Sequence, residues 1–250
     1  MFTERRKLAF YAWSVHGFTL TGALWACLAV IALIEGHIPM MWLWLGIALI
    51  VDGVDGTLAR KADVTTHAPF FDGTTLDNIV DYLTWTFIPA LFMYTYIPMG
   101  PKPLAMVMLA LICMSSLFCY CNTKLKTSDY YFMGFPAAWN VVAVIMWIFS
   151  TSAAVNVVVT IVLAILTTAP ITFVHPFRVT KIAASAAWIA STVVLVIQHP
   201  SLPIAALVVW GVSGLWLMGI SAWRTAAELR RRRIHSPAQA ICETSFQNAE

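Results

Sequence analysis

Charge is scarce in this sequence. Only 11% of its 250 residues are Asp, Glu, Lys or Arg, where a soluble domain carries about 25%. With 60% hydrophobic residues and a mean hydropathy of +0.78, an ordinary soluble enzyme is excluded. The net charge of +3 comes with no basic domain, so nothing here is built to hold a nucleic acid. Cysteine is sparse too. Cys27, Cys113, Cys119, Cys121 and Cys242 form no disulfide framework, and Cys119 and Cys121 lie two apart on a predicted helix, facing different sides. They read as small apolar packing residues. A cleavable secretory leader is not expected either, because the apolar run after Glu4-Arg5-Arg6-Lys7 is too long and has no clear cleavage site.

What the chain has instead is apolar runs long enough to cross a bilayer, roughly 20 residues each. They predict helices over residues 9–34, 40–60, 73–96, 104–122, 136–152, 155–175, 182–198 and 203–223. The expected fold class is therefore an all-α integral membrane protein, one bundle of about eight transmembrane helices filling residues 1–250, with a tail over 224–250. Basic residues test the topology. With the N-terminus inside, fourteen of the fifteen Lys and Arg fall on cytoplasmic segments and only Lys102 lies outside. That bias follows the positive-inside rule and puts both termini in the cytoplasm. The run Arg230 to Arg233 is read either as contact with anionic headgroups of membrane lipids or as an orientation signal.

The acids are unevenly spread. Six of the twelve Asp and Glu lie between Asp52 and Asp81, and Asp52, Asp55, Asp77 and Asp81 fall inside predicted helices. Each charge inside a membrane costs about 2.5–3.5 kcal/mol on insertion scales, so the group needs compensation. Asp52 and Asp55 are three apart and share a helix face with Gly56, Ala59 and Arg60; Asp77 and Asp81 are four apart on the next helix, one turn after Gly73. The first of these helices descends to the cytoplasm and the second returns, so the two pairs can meet near the inner surface. Oxygen-only ligands suit hard divalent ions, and four carboxylates suit a two-ion site for Mg²⁺ or Mn²⁺. Gly53, Gly56, Ala59 and Gly73 leave the helix surface bare, either for close helix packing or for approach of a bulky phosphorylated ligand.

The stretch Asp52-Gly53-Val54-Asp55-Gly56-Thr57-Leu58-Ala59-Arg60, followed by Gly73-Thr74-Thr75-Leu76-Asp77-Asn78-Ile79-Val80-Asp81, resembles the signature of the CDP-alcohol phosphotransferase family. That signature reads D-x-x-D-G-x-x-A-R, a gap, then G-x-x-x-D-x-x-x-D, and every fixed position is present over residues 52–81. The gap from Lys61 to Asp72 is twelve residues, where most of the family has eight. The longer gap resembles the variant of the bacterial phosphatidylcholine synthase branch. A second resemblance lies earlier, where His16 and Thr19 stand in the Asn and Thr positions of the family's P-N-x-x-T-x-x-G pattern. The alternative for His16 is a packing or interfacial role.

The resemblance implies a site. Asp52, Asp55, Asp77 and Asp81 would be the metal ligands, with Asp81 also the general base. His16, Thr19, Asp52, Gly56, Ala59, Arg60 and Gly73 would hold CDP-diacylglycerol, whose phosphatidyl group passes to an alcohol as CMP leaves. It further implies a homodimer in the bacterial inner membrane, with the active site facing the cytoplasm. The acceptor is read from what is missing. Beyond Arg60 no Lys or Arg lies deep in a predicted span, so an anionic acceptor fits poorly and choline, a quaternary ammonium held by aromatic faces, fits better. Tyr82, Tyr130, Tyr131 and Trp139 are the candidates for that pocket, or else interfacial anchors. Two readings stay open beside this one: serine or another alcohol as acceptor, and a divalent-cation transporter whose ion path uses the acids.

Overall fold

The computed structural model describes residues 2–122, 131–169, 171–174 and 182–247. Helix α1 (Phe2–Ile34) turns at Gly36, which takes φ +76°, into α2 (Ile38–Ala62), with Pro39 in its first turn. Proline is tolerated there because its missing N–H would have been unpaired anyway. After a single turn, α3 (Val64–His67), the chain enters α4 (Gly73–Asp81), continues through a π-helical segment (Tyr82–Phe87) and ends that rod as α5 (Ile88–Tyr96). Then come α6 (Lys102–Cys121), strand β1 (Tyr131–Met133), α7 (Trp139–Ile148), α8 (Ala153–Leu166), strand β2 (Thr172–Val174), α9 (Ile182–Ile197) and α10 (Ile204–Gln247). The two strands pair antiparallel, Phe132 opposite Phe173. Among the described residues these are the only strands.

Four helices, α1, α2, α6 and α10, are long and apolar enough to cross a membrane, while α7, α8 and α9 are apolar but shorter. Each predicted span coincides with a helical segment, with informative differences. The segment expected over 136–152 is helical only from Trp139 to Ile148, and that over 155–175 stops at Leu166, before the Thr172–Val174 strand. The last helix runs well past residue 223, to Gln247.

Packing follows residue size. Ala26, Ala29 and Ala32 on α1 let α2 approach closely, and Met41, Trp42 and Leu45 fill the space between them and Phe92 and Met93 of α5. Trp42 meets Phe92 edge-on at 5.1 Å, and the Tyr96 hydroxyl donates to the Leu33 carbonyl at 3.1 Å. Asn156, fully buried in apolar α8, donates to the carbonyls of Pro98 and Thr151 at 2.9 and 3.0 Å. A buried amide so satisfied costs little. Large apolar side chains such as Phe10, Ile34, Ile50, Val212, Leu215 and Met218 point outward. Outward faces of this kind suit hydrocarbon, and helices whose backbone groups bond internally are the form that can sit in it.

Candidate active site

The site is assembled where α1, α2 and α4 come together. Helix α2 closes with Arg60 and Lys61 in its last turn, where cations complement the helix dipole. Its C-cap Asp63 takes a left-handed conformation (φ +43°), which a short polar side chain tolerates. The Thr66 hydroxyl is the main group holding the Asp63 carboxyl below its ordinary range. Nine residues on, Asp72 caps α4, accepting from the Thr75 N–H at 3.0 Å and the Thr75 hydroxyl at 2.7 Å. Those bonds, hydroxyl first, hold the Asp72 carboxyl below the usual carboxylate range. The long connection between the two halves of the motif is thus folded: a C-cap, one helical turn and an N-cap.

That connection delivers the acids. Carboxylate oxygens of Asp52, Asp55 and Asp77 lie within 4.8 Å of one another, Asp55 buried and the other two half-buried. On one octahedral Mg²⁺ ion with bonds of ~2.1 Å, neighbouring ligands stand about 3.0 Å apart and opposite ones about 4.2 Å, so the three oxygens would draw together on such an ion. Three clustered carboxylates repel unless a cation sits among them, and an all-oxygen donor set suits a hard divalent ion. These residues can hold a metal ion. Asp81 is the last residue of α4, one turn beyond Asp77, and is not one of the three converging carboxylates.

Helix α1 forms the facing wall. The Thr19 hydroxyl lies within hydrogen-bonding reach of Asp55, which also meets the Gly56 N–H. His16 is only 3% exposed, and its Nε2 has no hydrogen-bond partner among the described residues. Its ring sits 4.6 Å from Phe71 and 5.9 Å from Trp13, centroid to centroid. A Cβ added to Gly73 would stand 2.8 Å from His16 Cε1, so only glycine admits the imidazole at the start of α4. Six residues further along α1, a Cβ on Gly22 would stand 2.5 Å from Val80 Cγ1, so α1 and α4 touch along two glycines. His16, Thr19, Gly73, Asp55 and Asp77 are therefore neighbours, as their assignment to one site requires. Gly56 and Ala59 are half-buried beside them, and the exposed Arg60 donates to the Thr57 hydroxyl at 3.2 Å. Gly53 faces open space.

The aromatic candidates separate. Tyr82 follows Asp81 directly, its ring 6.0 Å from that of Tyr120 and its hydroxyl against Cys113. Trp139 is fully buried in the apolar core, its Nε1 donating to Ser116 Oγ at 2.9 Å. Tyr131 lies on β1, and Tyr130 lies outside the described residues. Tyr120 is the residue that reading the sequence missed. It comes from the last turn of α6, meets Thr86, and lies within electrostatic reach of Asp81 and Asp52. No motif marks it; only the fold joins residues 120 and 81.

No family model matches the chain. Curated relatives do. A phosphatidylcholine synthase of Pseudomonas aeruginosa is 46% identical over 223 residues, 87% of this chain and 93% of that protein. One of Rhizobium johnstonii is 37% identical over 216 residues, 84% of this chain and 89% of that protein. One of Borreliella burgdorferi is 35% identical over 167 residues, 67% of this chain and 71% of that protein.

Proposed function

The chain belongs to the phosphatidylcholine synthases, and from that membership we propose that it transfers the phosphatidyl group of CDP-diacylglycerol to choline and releases CMP. The observation that carries the chemistry is the convergence of Asp52, Asp55 and Asp77 at the meeting of two helices. Mg²⁺ or Mn²⁺, as two ions, would stabilise the charge that builds on the attacking and leaving oxygens. Asp52, Asp55 and Asp77 would hold these ions, with Asp81 as a further ligand.

The residues divide the work. The choline hydroxyl oxygen bonds to the phosphatidyl phosphorus, the bond from that phosphorus to the CMP oxygen breaks, and the hydroxyl proton passes to Asp81. A carboxylate beside cations is a weak base, so Asp81 acts through position, one helical turn from Asp77. Arg60 holds donor phosphate by charge-assisted hydrogen bonds. Buried His16, with Nε2 unpartnered among the described residues, and Thr19 line the donor side across from Gly73, and Gly56 and Ala59 leave the backbone approachable.

The site faces the cytoplasm of the bacterial inner membrane in a chain that crosses it eight times with both ends inside, as the distribution of Lys and Arg supports. It works as a homodimer among membrane lipids, a reading carried by resemblance to the wider phosphotransferase family. The test is CMP release by the purified protein in detergent with CDP-diacylglycerol. CMP should appear only when choline and Mn²⁺ or Mg²⁺ are both present, and should stop when a chelator is added. Release that continues in excess chelator, or that ignores choline, contradicts the reading.

A further inference from the structure

We infer that Tyr120 and Tyr82 form the aromatic wall that holds the acceptor's quaternary ammonium beside Asp81. The inference rests on the choline reading above and names residues for it. Tyr82 is fixed by sequence next to Asp81, inside the π-helical segment Tyr82–Phe87. Such segments are uncommon and recur at functional sites, where they redirect side chains. Tyr120 reaches the same place from α6, thirty-eight positions later in the chain. The two rings stand at 86° with centroids 6.0 Å apart, which makes a corner rather than a stack.

Both hydroxyls are engaged by the protein. That of Tyr82 meets Cys113; that of Tyr120 meets Thr86, whose own hydroxyl donates to the Ala137 carbonyl at 3.3 Å. What the pair has left for a ligand is ring surface, and ring faces attract cations. The local charge has the right sign. Asp81 and Asp52 act electrostatically on Tyr120, residues 73–96 contain no Lys or Arg, and the one cation of α6, Lys102, is at its opposite end. A cation without hydrogen-bond donors suits such a corner, whereas an acceptor carrying a phosphate or carboxylate would meet only acids and ring faces. Choline has its hydroxyl two carbons from the ammonium, a short reach that suits an acceptor held between this aromatic corner and the Asp81 carboxylate within electrostatic reach of Tyr120.

The experiment uses the full-length protein in detergent with CDP-diacylglycerol and Mn²⁺. Choline is compared with 3,3-dimethyl-1-butanol, its uncharged carbon isostere, in the wild type and in Tyr120→Phe, Tyr120→Leu and Tyr82→Leu. The wild type should half-saturate at an isostere concentration about tenfold above that for choline. Tyr120→Phe should keep its choline KM within about threefold, since the ring remains. Tyr120→Leu and Tyr82→Leu should each raise it about tenfold, with the KM for CDP-diacylglycerol unchanged. Parallel rises for both substrates, or equal use of choline and isostere by the wild type, overturn the aromatic wall while leaving the synthase reading standing. If Tyr120→Leu does not fold, Tyr82→Leu and the wild-type isostere comparison decide. A wild type that prefers serine or glycerol 3-phosphate ends both.

Discussion

Replacing Gly22 by Ala should misplace the acids without touching one. The added Cβ would stand 2.5 Å from Cγ1 of Val80, which is 6% exposed and held between α1 and α4. Carbon atoms rest about 3.5–4.0 Å apart, so the pair must separate by about 1 Å. Val80 cannot swing away, because a β-branched side chain in a helix has essentially one rotamer. Helix α4 has to move instead, and overpacking of this kind costs about 1–3 kcal/mol. Val80 lies between Asp77 and Asp81, so the shift is passed directly to the site. A misplacement of about 1 Å at reacting groups costs up to about 100-fold in rate. CMP release and the thermal unfolding midpoint at fixed scan rate, both in detergent, measure the two effects. Val80→Ala removes the clashing methyl, so the double variant Gly22→Ala/Val80→Ala should recover activity, with a coupling of about 1 kcal/mol or more. A Gly22→Ala protein with wild-type rate and midpoint, or a double variant no better than the single, refutes the account of how α1 seats α4.

Asp52→Asn, Asp55→Asn and Asp77→Asn should each lose more than tenfold in CMP release, about 1.4 kcal/mol of barrier, while staying folded. A variant that keeps more than about a tenth of the wild-type rate takes its residue out of the metal site. Arg60→Lys keeps the charge but loses the planar fork, so the KM for CDP-diacylglycerol should rise more than that for choline; a rise for choline alone contradicts the assignment. Asp72→Ala removes the cap of α4, whose carboxyl is held below its ordinary range by the Thr75 hydroxyl and N–H. A carboxyl depressed in the folded state stabilises fully above its ordinary value of about 3.9 and loses that contribution as pH falls through the depressed value. The midpoint gap between wild type and Asp72→Ala should be steady near neutrality and narrow in acid. A gap that widens in acid shows that the cap works otherwise.

The helices were legible because apolar runs and helix length coincide in a membrane, and their ends less so. The expected end of the last span near residue 223 marks where hydrophobicity stops, but Arg230 and its neighbours continue the helix to Gln247, since leaving hydrocarbon does not break backbone hydrogen bonds. The rod over 73–96 read as one helix, and it is continuous, yet its π-helical middle went unseen. Pro89 was the available sign: lacking an N–H, it cannot bond the Trp85 carbonyl, so irregularity just before it is expected. The acid cluster was legible because i,i+3 and i,i+4 spacings fix a face wherever the helix lies. The contact of Gly22 with Val80 and the pairing of Tyr120 with Tyr82 join different helices at no fixed spacing, so nothing local announces them. The twelve-residue length of the connection was visible, but its C-cap at Asp63 and N-cap at Asp72 emerged only in the fold.

The identity of the acceptor decides the assignment most directly. Radiolabelled choline, serine and glycerol 3-phosphate, each at the same concentration, should be offered to the purified protein with CDP-diacylglycerol and Mn²⁺, and label counted in the lipid extract. Choline label should enter lipid fastest, with glycerol 3-phosphate slowest because residues 73–96 bring no Lys or Arg to partner its phosphate. Faster incorporation of serine or glycerol 3-phosphate would contradict it.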